Sequence, residues 1–173
     1  MKFIFYNGNP SQERRKRLNE LCNGEKFPFN HKTKYKSVFF PEFENVLSVV
    51  LPPDINRKYN CFAHALGVTE WVVSAIIAQA VRNNDLKPTE NPRSGDIMIY
   101  CESSLDYIRH AGKFVSEQVV QSKWASGPVF EHETFMCPLR YGDKATYFKA
   151  IDRELVHKLV KKYKDFNKSS FQP

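Results

Sequence analysis

Two blocks of apolar positions with different periods divide this chain: a nearly all-apolar helical run before residue 82 and strand-like runs after Asp96. Ahead of them, residues 2–6 read as a short strand ending at the turn pair Asn7-Gly8. Pro10-Ser11-Gln12 opens a charged helix to about Leu21, with Leu18 and Leu21 inward and Gly24 as its stop. Residues 25–53 are aromatic and punctuated by proline, with strand character at 36–40 and 46–51. Phe27, Phe29, Tyr35, Phe39, Phe40 and Phe43 read as core and loop anchors, because no RNA-binding signature accompanies them.

The prolines of Leu51-Pro52-Pro53 cannot propagate a helix, and a short one is expected over 61–66. A second is expected over 69–81, capped by Thr69 and apolar nearly all round from Trp71, as buried helices are. Strands follow over 97–101, 107–115 and 119–124, with Ser116-Glu117-Gln118 joining the last two as a hairpin. A turn about Glu117 sets Phe114 opposite Val120 and Gly112 opposite Ser122, so His110 and Ser122 share a face. A shift of one residue puts Gln121 there instead. Residues 130–135 and 146–150 add edge strands. An amphipathic helix over 151–163 turns Ile151, Leu155, Val156, Leu159, Val160 and Tyr163 inward, and the last ten residues read as frayed. The fold class is α+β in one domain, helices packed on an antiparallel sheet across a groove. Residues 59–150 form its core, 1–58 an N-terminal extension and 151–173 a C-terminal helix and tail.

The 173 residues, 42% of them hydrophobic, suffice for a real core. No apolar run approaches the roughly 18 residues of a membrane span, and residues 1–8 are too short for a signal peptide. The expected location is the cytoplasm, or outside it by a signal-independent route. The net charge of +7 is uneven: basic residues outnumber acidic ones by 11 to 6 before residue 59 and by 6 to 3 after residue 150. Between these flanks, acidic residues lead by 10 to 9. A basic flank suits nucleic acid, anionic lipid or an acidic wall polymer, or is simply a solvated surface.

Cys22, Cys61, Cys101 and Cys137 are too sparse for a disulfide framework. Cys61 stands out, since a polar residue, a cysteine and then helix formers place a thiol at a helix start, where unpaired N–H groups favour thiolate. His110, followed by the small pair Ala111-Gly112, supplies an imidazole, and Ser122 or Gln121 a group to orient it. Tyr59, His64, Trp124 and His132 are candidates for the substrate groove, each also readable as a packing or surface residue. Cys61-x-x-His64 resembles half a zinc site with Cys101, His132 or Cys137, but no second compact ligand pair exists, so neither metal nor cofactor is expected.

Three stretches together resemble the papain-like cysteine amidases and endopeptidases of the NlpC type: Asn60-Cys61-Phe62-Ala63-His64-Ala65, Ser94-Gly95-Asp96-Ile97-Met98-Ile99-Tyr100 and Arg109-His110-Ala111-Gly112-Lys113-Phe114-Val115. The likeness spans residues 59–124. It implies a papain-like fold, Cys61 as nucleophile, His110 as base and acid, and a third polar residue behind His110. Where that family usually carries Asp before the cysteine and Ser-Gly after it, this chain has Asn60 and Phe62-Ala63. The implied reaction is amide or peptide hydrolysis through a thioester, with deamidation or acyl transfer using the same groups. Cell-wall peptide is the substrate the likeness suggests; as a small antibacterial effector, the chain would be met by an immunity or inhibitor protein. The rival reading is a basic binding module for nucleic acid or an acidic partner, without catalysis.

Overall fold

The computed structural model describes residues 6–7, 12–23, 43, 46–51, 59–124 and 127–165. Its strands are β1 (Tyr6–Asn7), β2 (Leu47–Leu51), β3 (Ile97–Cys101), β4 (Ile108–Ser116), β5 (Val119–Lys123), β6 (Val129–Glu133) and β7 (Lys144–Phe148). All pair antiparallel in one sheet, in the order β1-β7-β3-β4-β5-β6-β2. The helices are α1 (Gln12–Asn23), α2 (Cys61–Leu66), α3 (Ser74–Arg82) and α4 (Arg153–Lys162), with a 3-10 turn at Leu139–Tyr141. The class is α+β, and among the described residues no helix is long and apolar enough to cross a membrane.

Strand alternation divides the core between two faces. On one, Ile97, Ile99, Ala111 and Phe148 pack with Phe62, Ala63, Ile76, Ile77, Val156 and Leu159 of α2, α3 and α4. On the other, Met98, Tyr100, Val120, Trp124, Phe130 and Tyr147 pack with Leu18 and Cys22 of α1 and with Phe43. Every residue of β3 is buried, which is why its sequence is apolar without alternation. The β4–β5 hairpin has the register expected from its turn, with Phe114 opposite Val120 and Lys113 opposite Gln121. Gln118 takes a left-handed φ of 66° in that turn.

Several expectations are corrected. α3 begins at Ser74, not at Thr69, and its N-cap Val73 makes no side-chain capping bond. Gly67, at φ 72°, ends α2 instead, and its N–H reaches back to the Ala63 and His64 carbonyls. Asn60 Nδ2 then donates to the Val72 carbonyl at 2.6 Å, holding the intervening segment against the start of α2. Trp71, expected in a buried helix, is 45% exposed. β6 and β7 are interior strands, not edges, because β2 and β1 pair with their outer sides. Leu155 faces outward on α4, and the docking face is Val156, Leu159 and Tyr163. The strand expected at 36–40, residues 2–5 and the tail beyond Asp165 lie outside the described residues.

Candidate functional site

Cys61 is the first residue of α2, and Asn60 fixes where that helix starts. The Asn60 side chain accepts the Ala63 N–H at 3.1 Å while its amide donates to Val72. Only an amide meets both demands, which accounts for asparagine where the resembled family has aspartate. Cys61 is half-buried, whereas Cys22, Cys101 and Cys137 are buried; all four are free thiols.

The ladder between β4 and β5 ends at Lys113 and Gln121. Continued, it would set Ala111 opposite Lys123; instead the Ala111 N–H is among the groups that favour a Cys61 thiolate. The N–H groups of Phe62 and Cys61 also favour the thiolate, as does the charge of Lys123, but burial outweighs them all and pushes the thiol up to about 11. The thiolate expected from sequence is therefore not the resting form. α2 has six residues, too few for its dipole to offset that burial.

His110 is 1% exposed and stacks flat on Tyr141, with 3.8 Å between ring centroids and 9° between planes. Tyr100, its cross-strand neighbour, tilts against its other surroundings at 5.4 Å. His110 Nε2 is buried with no hydrogen-bond partner. Burial first, then the His132, His64 and Arg140 charges, hold its pKa well below the ordinary range, so the ring is neutral. Tyr141 also lies in the neighbourhood of the thiol: a thiolate at Cys61 would raise the tyrosine's pKa further. The Tyr141 hydroxyl has no partner in hydrogen-bond geometry. Arg140, over the Tyr141 ring at 5.6 Å, favours the phenolate, but burial outweighs it.

The two expected orienting groups are committed elsewhere. Ser122 Oγ meets His132 Nε2 at 2.7 Å and accepts the Trp124 indole N–H at 2.9 Å. Gln121 donates to Glu131 across the β5–β6 pair, at 3.0 Å. Of the groove candidates, Trp124 and His132 are corrected to interior residues, 0% and 2% exposed, because both anchor on Ser122 beneath the sheet. His64 and Tyr59 stay near the thiol. His64, one turn along α2, is neutral: burial and then Lys113 and Lys123 lower its pKa to about 4. Tyr59 lies under the Lys123 ammonium at 4.8 Å.

Two residues at the site, Tyr141 and Lys123, have no part in the reading from sequence. Alternation along β5 does put Lys123 on the face of Gln121, so that signal was present. Among the described residues, no three His, Cys, Asp or Glu side chains gather as metal ligands.

Residues 53–149 match the model of a family described as a domain of unknown function (DUF7689). No curated protein and no solved structure matches the chain.

Proposed function

We propose that this chain, which belongs to the DUF7689 family, is a thiol-dependent amide or peptide hydrolase of papain-like, NlpC-type design, with Cys61 as nucleophile and His110 as base and acid. The observation that carries the reading is the unpartnered, buried Nε2 of a neutral His110, adjoining the Ala111 peptide whose N–H favours a Cys61 thiolate. A buried imidazole nitrogen without a partner costs free energy that a proton-transfer role explains.

Because Cys61 rests as a thiol, proton transfer accompanies attack. His110 Nε2 takes the thiol proton as sulfur bonds to the carbonyl carbon. The Cys61, Phe62 and Ala111 N–H groups around the sulfur are the donors available to the oxyanion. Collapse breaks the C–N bond, and the imidazolium returns its proton to the leaving amine. Water then attacks the thioester with His110 again as base, releasing the acid and the thiol. The basic excess outside residues 59–150 fits a polyanionic or wall-associated peptide target.

A peptidyl vinyl sulfone, followed by intact and digest mass spectrometry, tests this. The expected result is one adduct, on Cys61, formed at least about a hundredfold more slowly in His110→Ala. Equal labelling of Cys22, Cys101 and Cys137, or an unchanged rate in folded His110→Ala, would remove the proposal.

A further inference from the structure

We infer that Arg15, on a helix outside the family-matched segment, is a positioning residue for His110: it fixes the turn that presents Tyr141, and Tyr141 fixes the imidazole plane. The inference rests on the reading of His110 as the base at Cys61.

Arg15 is 2% exposed, and among the described residues no carboxylate pairs with it. Its donors go to the turn's backbone. Nε donates to the Cys137 carbonyl at 3.1 Å, and Nη2 donates to the Gly142 carbonyl at 2.5 Å. Nη2 also lies 3.9 Å from Cys137 Sγ. Those two carbonyls bracket the Leu139–Tyr141 turn on either side. One helical turn along α1, Asn19 Oδ1 accepts the Arg140 N–H at 3.2 Å, inside the same turn. α1 thus grips the Tyr141 turn at both ends and in its middle.

The turn is also fixed from the sheet side. Gly142 has φ 106°, and a Cβ there would come within 2.4 Å of the Cys101 carbonyl oxygen. With its ends held, the turn presents Tyr141 flat on His110. A guanidinium buried against carbonyls is an expensive way to hold a surface helix, since an apolar side chain would dock α1 with no desolvation cost. What the planar fork adds is fixed distance to two carbonyls at once.

The test compares Arg15→Met, which keeps much of the stem and removes the donors, with Arg15→Lys, Asn19→Ala and Leu18→Ala. Leu18→Ala weakens the same helix contact but leaves the guanidinium. Two readouts are used: the vinyl sulfone rate at Cys61, and the His110 ring proton shifts against pH by NMR. The groups facing that ring are Tyr100, Tyr141, His64, His132 and Arg140.

Arg15→Met is expected to slow labelling about tenfold and to move His110 titration toward the ordinary histidine range. Arg15→Lys should recover part of both effects, and Asn19→Ala should show a smaller change in the same direction. Unchanged His110 titration in folded Arg15→Met would overturn the inference, as would an equal change in Leu18→Ala. If Arg15→Met does not fold, Asn19→Ala decides by the same criteria. Absence of a Cys61 adduct in the wild-type protein would instead sink the hydrolase reading, while the NMR comparison still reports on the clamp.

Discussion

His110 and Tyr141 lie face to face, 3.8 Å apart and within 9° of parallel, although 30 residues of chain and two strands, β5 and β6, lie between them. The contact has a testable weight. Tyr141→Ala removes a buried ring and leaves its volume empty, for an expected loss of about 3–5 kcal/mol. Tyr141→Phe keeps the stack and removes only a hydroxyl without a hydrogen-bond partner, so its change should stay within about 1 kcal/mol. Urea denaturation separates the two, and comparable losses would show that the hydroxyl, not the stack, matters.

Asn60 carries two bonds that a carboxylate cannot both make. In Asn60→Asp the cap to the Ala63 N–H survives, but the bond to the Val72 carbonyl becomes a repulsion between acceptors. The expected cost is about 1–3 kcal/mol, with Asn60→Ala at least as damaging because it loses the cap as well. Thermal melts of the two variants measure this; a more stable Asn60→Asp would contradict the assigned amide orientation.

Gly112 is needed for space. A Cβ there would lie 2.6 Å from Val120 Cγ1 and 2.8 Å from the Gln121 carbonyl oxygen. The carbonyl is backbone and cannot turn aside, so Gly112→Ala must part β4 from β5. We expect a loss of about 1–3 kcal/mol and a change in Cys61 labelling, because the ladder opens next to the sulfur. An alanine variant matching wild type in both respects would show that the strands separate freely there.

What could be read in advance follows the range of the interactions. The β4–β5 register was legible up to the shift at Ser116, because the short turn at Glu117-Gln118 fixes which residues face each other. The start of α2 was legible from Pro53, Asn60 and the apolar residues after it. Thr69 misled because capping chemistry is local, whereas the helix start at Ser74 answers to the Asn60–Val72 bond. Ser122 was placed on the correct face, but its partner His132 comes from β6, whose register the hairpin does not determine. Tyr141 and Arg15 were invisible for a stronger reason: each acts through long-range contacts that leave no periodic trace.

Three histidines make stability fall as the solution is acidified. Burial is the leading cause in each case, bringing His64 and His132 down to about 4 and His110 well below its ordinary range, from an ordinary value of 6.5. A base whose pKa is depressed by folding binds fewer protons in the native state than in the unfolded one. Its contribution is therefore complete above pH 6.5 and is lost as pH falls toward about 4, below which the native His132 and His64 protonate too. Each histidine adds a slope of about 1.4 kcal/mol per pH unit within that window. His132 shows the cost in atoms. Its Nδ1 donates to the Glu133 carbonyl, leaving Nε2 to accept the Ser122 hydroxyl, whose oxygen already holds the Trp124 N–H. A proton on Nε2 would leave two donors aimed at Ser122 Oγ and strand the hydroxyl hydrogen in a site that is 0% exposed. Denaturation series across this window should show the decline in the wild-type protein and a slope shallower by about one histidine in His132→Asn. A flat wild-type profile between pH 6.5 and 4 would mean these rings are charged in the native state, and would take the neutral base at His110 with it.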